Sequence, residues 1–167
     1  MNNRTRMLVE GGLAAGLAIV LSYLRIWRMP QGGSVTLENI PILIYALRWG
    51  FKGGFGAGAV AGIVQLVLGG YVVHPAQALL DYPIAFGVLG CAGLIRRPLW
   101  GGLLLGTTLR LAAHIFSGVI FFASYAPEGT NVWLYSTIYN GSYMLPNLAL
   151  TLILAYLIWP RLNKINQ

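Results

Sequence analysis

Six apolar runs fill almost the whole 167-residue chain, and its charged side chains lie mainly at the breaks between them. The runs fall near 8–27, 38–50, 54–72, 76–95, 99–124 and 133–160, the second being the shortest. A helix needs roughly 20 apolar residues to cross a hydrocarbon core about 30 Å thick, so six spans with short loops use up this length. Only 9% of the residues are charged, against roughly 25% in soluble domains, too few to cover a water-facing surface. The pattern predicts an all-α integral membrane protein, one membrane domain over residues 1–167 built as a six-helix bundle. MNNRTRM before the first run resembles the start of a signal peptide, but the run continues past Val20 without a convincing cleavage site, which predicts a retained first helix.

The basic residues order the spans. Arg4 and Arg6 precede span one, Arg48 and Lys52 join spans two and three, Arg96 and Arg97 join four and five, and Arg161 and Lys164 follow six. Six spans put those eight residues on one side, against Arg25 and Arg28 on the other. The positive-inside rule then predicts both termini in the cytoplasm. Trp27, Tyr71, Tyr125 and Trp133 fall at the outer interface, with Trp49, Trp100 and Trp159 at the inner one. The net charge of +7 is thereby explained by topology, and a nucleic-acid partner is not expected, because the chain lacks an exposed polar surface to carry a basic patch. Cys91 is the single cysteine, so no disulfide or thiolate metal site can form within one chain.

Small residues four apart mark helix contact faces in lipid. Gly54, Gly58 and Gly62 on span three predict packing inside the bundle. On span one, Gly11, Ala15, Ala18 and Ser22, with Ala14 beside Ala18, form a smooth face that either packs internally or receives another membrane protein.

Ionisable groups inside a span need a partner or a water-filled cavity. Tyr71 lies just before span four, and His74, Gln77 and Asp81 follow at helical spacing on one face. On span five, Arg110, His114, Gly118 and Phe122 recur every four residues, Gly118 leaving a gap in the stripe. Span six offers Tyr135, Ser136, Tyr139, Asn140 and Tyr143 in its outer half. Together these predict a pocket toward the outer face in which a carboxylate among Tyr, Phe and His side chains suits a flat cationic or amine-bearing aromatic ligand. Each residue also has a purely structural reading: Asp81 as the partner of Arg110 or His114, Arg110 as an orienting cation, His74 as an interfacial residue, and Tyr139 and Tyr143 as packing groups. No P-loop, HExxH or GxSxG motif occurs, and no metal site or cofactor is expected. A membrane enzyme using Asp81 and His114 as acid and base is a remote alternative.

The segments PQGGSVTLENIPILIYALRWG, LGGYVVHPAQALLDYP, HIFSGVIFFASYAPEG and WLYSTIYNGSYMLPN, taken together, are specific. Across the six spans the chain resembles the ThiT family, the thiamine-specific S components of energy-coupling factor transporters. The resemblance implies a six-helix bundle holding the vitamin near the outer side, under the loop between the first two spans, where Gln31 to Ser34 would contribute to a lid. It implies ligand contacts at Asp81, where the family often has Glu, at Tyr71 and Tyr82 beside it, at His114 and Gly118, at Phe122, which is Trp in some members, and at Tyr135 and Asn140. Arg110 matches a basic position that is Lys in some members, and Arg110, His74 and Tyr139 are placed as supporting residues. Partners implied are thiamine, a transmembrane coupling subunit docking at Ala14 and Ala18, and two ATPase subunits that supply the energy, in a bacterial plasma membrane. The alternative within the same architecture is a binding subunit for another cationic or heterocyclic vitamin, or for a precursor of thiamine.

Overall fold

The computed structural model describes residues 2–30 and 32–164; Gln31, expected in the lid, lies outside them. Six longer helices, a 3-10 turn at Ala123–Tyr125 and one small hairpin are the regular elements among the described residues. The helices and hairpin arms are α1 (Asn3–Tyr23), β1 (Trp27–Arg28), β2 (Ser34–Val35), α2 (Asn39–Trp49), α3 (Phe51–Val67), α4 (Pro75–Leu94), α5 (Leu99–Phe121) and α6 (Val132–Lys164). Four helices are long and apolar enough to cross a membrane: α1, α4, α5 and the Val132–Arg161 stretch of α6. The apolar helix α3 has 17 residues, and α2 has only 11.

At 1.5 Å per residue α2 spans about 16 Å, roughly half of a hydrocarbon core. The segment before α2 carries the hairpin, exposed at Trp27 and Arg28 on β1 and buried at Val35 on β2, and Arg28 and Ser34 line the cavity described below. Ile26 N–H donates to Val35 O at 2.9 Å, and Met29 N–H to Gly33 O at 2.7 Å. Asn147 of α6 ties the hairpin down, its amide donating to Ser34 O and its Oδ1 accepting Thr36 N–H at 2.8 Å. Val35 packs with Tyr143 and Met144.

Only Gly50, at φ +87°, separates α2 from α3. A side chain there would be strained in the left-handed region. The Gly54, Gly58 and Gly62 stripe packs inside the bundle, as expected. A Cβ on Gly58 would strike the Phe86 carbonyl, and one on Gly62 the Tyr82 carbonyl, so α3 lies backbone to backbone against α4.

The core joins Ala15 and Ala18 of α1 to Ile42, Leu43 and Ala46 of α2, Ala57 and Ala61 of α3, and Phe86 and Leu89 of α4. Met7, Trp49, Leu99 and Trp159 pack at its edge, which places the start of α1 and the last turns of α6 at the same end of the bundle. There Glu10 accepts from Arg6, Arg48 and the Trp49 indole, pinning α1 to α2.

The docking face expected on α1 requires correction. Ala18 is fully buried, at 0% exposure, and Ala14 is half-buried against the same core. That stripe faces the protein's own helices because Gly11, Ala15 and Ala18 let Tyr45 and its neighbours approach closely. The small residues exposed on α1 are Gly12 and Gly16, with open space beside both.

Candidate functional site

A cavity of about 240 Å³ opens at the end of the bundle opposite the termini, beneath the hairpin. It lies just below the roughly 300–1,000 Å³ range of drug-sized sites and suits a ligand of one or two small rings.

Its floor rests on an irregularity in α4. The helix begins at Pro75, whose missing N–H costs nothing at a first turn, and His74 caps it by accepting Ala76 N–H on Nδ1 at 3.1 Å. Pro83 then falls inside the helix, where it cannot donate to the preceding turn. The chain responds with a π-turn over Leu80–Ile84, in which Ala85 N–H reaches Leu80 O five residues back. Asp81 and Tyr82 project from this turn, and π-turns of this kind recur at functional sites.

Asp81 is held by three donors. Gln77 Nε2 and the Ser117 hydroxyl each donate to Oδ2 at 2.7 Å, and His114 Nδ1 lies 2.9 Å from Oδ1. Gln77 also locks the entry loop, donating to Tyr71 O and accepting Val73 N–H. Its side chain is almost fully buried, as an organising amide must be when every hydrogen bond is made.

Beside this group lies a carboxylate that sequence reasoning passed over. Glu38, immediately before α2, pairs with Arg110 at 2.8 Å, with side-chain exposures of 14% and 7%. Arg110 also bonds Asn39 Oδ1 and lies over the Phe86 ring at 3.8 Å, and its Nε–H donates to His114 Nε2 at 3.3 Å. Gln65 donates to the other Glu38 oxygen at 3.3 Å. Glu38, Arg110, His114 and Asp81 therefore form one connected chain across α2, α5 and α4. Nε2 of His114 accepts from Arg110 and Nδ1 faces Asp81. The deep part of the cavity thus sets two carboxylates against one guanidinium.

Aromatic rings form the walls. Tyr135 stacks on Tyr139 at 6.3 Å, Tyr139 meets Tyr143 edge-on at 6.1 Å, and Tyr143 meets His114 at 6.4 Å. Nearer the mouth, Tyr71 stacks on Phe122 at 6.2 Å, and Phe122 lies 5.9 Å from Tyr125. The Tyr71 and Tyr125 hydroxyls are 3.2 Å apart, and this hydrogen bond raises the Tyr71 phenol above its usual range. Tyr71 N–H donates to the Tyr82 hydroxyl at 2.6 Å.

The eight residues expected to contact ligand, Tyr71, Asp81, Tyr82, His114, Gly118, Phe122, Tyr135 and Asn140, all line this cavity, as do Arg110 and Tyr139. Some stand differently from expectation. His74 is outside the lining: it caps α4 in an extended conformation, and its ring stacks on Phe121 at 5.2 Å. The gap at Gly118 is filled by Ser136 of α6, which a Cβ there would strike. Asn140 is drawn into the same seam, its amide donating to Ser136 O and His114 O while Oδ1 accepts the Tyr143 hydroxyl at 2.7 Å. Arg110 pairs with Glu38, and Asp81 with His114, so the open choice of partner for Asp81 resolves to the histidine.

Comparison with known proteins agrees with this architecture. A family described as "Thiamine transporter protein (Thia_YuaJ)" matches residues 8–167. A protein of Bacillus subtilis (strain 168) named thiamine transporter ThiT is 37% identical, over 94% of this chain and 93% of its own. One of the same name from Lacticaseibacillus paracasei is 34% identical, over 88% and 83%. A solved structure described as ThiT from Listeria monocytogenes superposes with a TM-score of 0.89 at 26% identity, covering 98% of both chains. With its apolar helices and bacterial relatives, this is a multi-pass protein of the bacterial plasma membrane. A family match over nearly the whole length, shared with relatives above 30% identity, establishes that the chain belongs to the thiamine transporter protein family.

Proposed function

We propose that this chain is the thiamine-capturing subunit of an energy-coupling factor importer, binding the vitamin tightly at the outer face. The observation that carries the reading is the connected Glu38–Arg110–His114–Asp81 chain beneath aromatic walls. Two carboxylates against one guanidinium in a low-dielectric cavity favour a cationic ligand, and the flanking rings add stacking and cation–π attraction for a flat heteroaromatic. Asp81, with Tyr82 and His114, would face the ligand's charged or amine-bearing ring, while Tyr71, Phe122 and Tyr135 would hold its faces. Gly118 and Asn140 would keep α5 and α6 close, Arg110 and Tyr139 would support them, and the hairpin would act as the lid. The eight basic residues at the opposite end support an orientation with both termini in the cytoplasm and the cavity facing outward.

The test is a thiamine titration of the detergent-purified chain, read by tryptophan fluorescence, with pyrithiamine and riboflavin for comparison. Saturable binding at one thiamine per chain, with riboflavin inert, is expected. Absence of thiamine binding by a monodisperse, folded sample would overturn the assignment and direct the search to another cationic vitamin.

No nucleotide-binding loop occurs in this sequence, so the energy for release has to come from partners: a transmembrane coupling subunit and two ATPase subunits. The exposed Gly12 and Gly16 of α1 replace Ala14 and Ala18 as the docking positions, since they alone on that helix combine small size with open space. Gly16→Trp is expected to reduce thiamine uptake in cells to below about a tenth while leaving the purified chain's thiamine affinity within twofold. Normal uptake by this variant would remove α1 from the docking surface.

A further inference from the structure

Phe86 is buried to 1% exposure in the core of the bundle, and its ring borders the deep end of the cavity. One face of that ring carries the guanidinium of Arg110, whose central carbon stands 3.8 Å from the ring centroid. The face of an aromatic ring is its negative side, so the cation is attracted there, and its N–H edges are left to bond outward. They donate to Glu38 and Asn39 on α2 and to Nε2 of His114 on α5. A guanidinium is a planar, rigid fork, and the ring beneath it sets the plane in which that fork bonds.

The π-turn of α4 is what brings Phe86 under Arg110. Asp81 and Phe86 are five residues apart, and in a regular α-helix that separation turns one about 140° away from the other. The wide turn over Leu80–Ile84, closed from Ala85 N–H to Leu80 O, brings the two round to the same side. Both then meet α5, Asp81 at His114 and Ser117, and Phe86 at Arg110. A step of five residues on α4 is thereby matched to the step of four from Arg110 to His114 on α5.

This arrangement decides which carboxylate Arg110 serves. Glu38 takes it, at 2.8 Å. Asp81 is the other acid in the cavity lining, separated from Arg110 by the one imidazole that touches both. A guanidinium released from the ring would have Asp81 as a competing partner, and a cationic ligand would then find its counter-ion taken. We infer that Phe86 is a positioning residue for cation capture, which by lying under Arg110 holds that charge on Glu38 and keeps Asp81 open to the ligand. The inference rests on the cation site proposed above, and it gives a buried ring a share in ligand affinity that packing alone does not.

The test replaces Phe86 by mono-, di- and trifluorinated phenylalanine through nonsense suppression. Fluorine withdraws electron density from the ring face while nearly preserving its shape, so packing is kept and the cation–π attraction falls stepwise. Thiamine affinity of chains that melt like the wild type is expected to fall at each step, by about fivefold in all for the trifluorinated ring. In an R110Q background the same series is expected to be flat. An affinity unchanged across the series would overturn the inference, while thiamine binding by the same chains would leave the cation site standing. A decline as steep in R110Q would also overturn it, because the ring would then act on the ligand directly. Should R110Q fail to fold or to bind, the Arg110 Nε–H proton resonance of the ligand-free, otherwise wild-type chain decides instead. It is expected to move with fluorination in step with the affinity, and a resonance that stays in place refutes the positioning role. No thiamine binding by the folded wild type would remove the cation site and this role with it.

Discussion

Asp81→Asn is expected to weaken thiamine binding by roughly a hundredfold or more while leaving the bundle folded. Truncating one member of a buried, hydrogen-bonded charge pair costs about 2–5 kcal/mol, and a hundredfold corresponds to about 2.7 kcal/mol. The asparagine is nearly isosteric, and Gln77 and Ser117 can still donate to its oxygen. His114 is different: its Nδ1–H would meet an amide NH₂ unless the side chain or the tautomer turns. The loss therefore combines the missing charge with a disturbed imidazole. Calorimetric titration of the purified variant, with thermal unfolding as a folding control, decides the point. An affinity within threefold of wild type in a stable sample would take Asp81 out of the ligand site.

The second large effect lies outside the cavity. Gly62→Leu is expected to lower the melting temperature in detergent by about 5–10 °C and to abolish tight binding. At Gly62, α3 lies against the carbonyl of Tyr82 and the Cα of Pro83, both inside the π-turn that presents Asp81. A side chain there meets backbone, which cannot rotate aside as a flexible side chain would. Overpacking of this kind costs about 1–3 kcal/mol, and each kcal/mol shifts the melting temperature of a chain this size by about 2–4 °C. Whatever relief is found must move the π-turn, and Asp81 with it. Gly56→Leu is the control, since nothing lies within 4 Å of a Cβ there. If both variants melt and bind alike, close packing of α3 on the π-turn has no part in building the site.

Much of the site was legible because helical periodicity brings side chains four apart onto one face. Gln77 and Asp81 are hydrogen-bonded at that spacing, and so are Arg110 and His114. The same rule misled at His74, because it was carried one residue past the start of α4, where the backbone is extended and the helical phase does not exist. Glu38 was missed for another reason. It sits at the start of the shortest run, and its partner Arg110 is 72 residues away, a pairing that only the tertiary fold creates. Span one carries two small-residue stripes, Ala14 with Ala18 and Gly12 with Gly16, and composition cannot say which of them turns inward. The burial of Ala18 against α2 and α3 decides it. The hairpin was invisible as strand because each arm is two residues long, too short for any alternation of polarity.

The brevity of α2 bears on how the protein is made. Eleven residues are too few to settle in a bilayer as an independent segment, and with Gly50 as the sole link the helix has to leave the insertion machinery folded back on α3. Glu38 enters with that pair, long before its partner exists. Translation at about 5–20 residues per second separates Glu38 from Arg110, 72 positions later, by roughly 4–14 s. During that interval Glu38 lacks the guanidinium that it pairs with in the finished fold, which α5 supplies. Biogenesis thus assembles the binding cavity late, and a nascent chain stalled before residue 110 would hold four helices and no site.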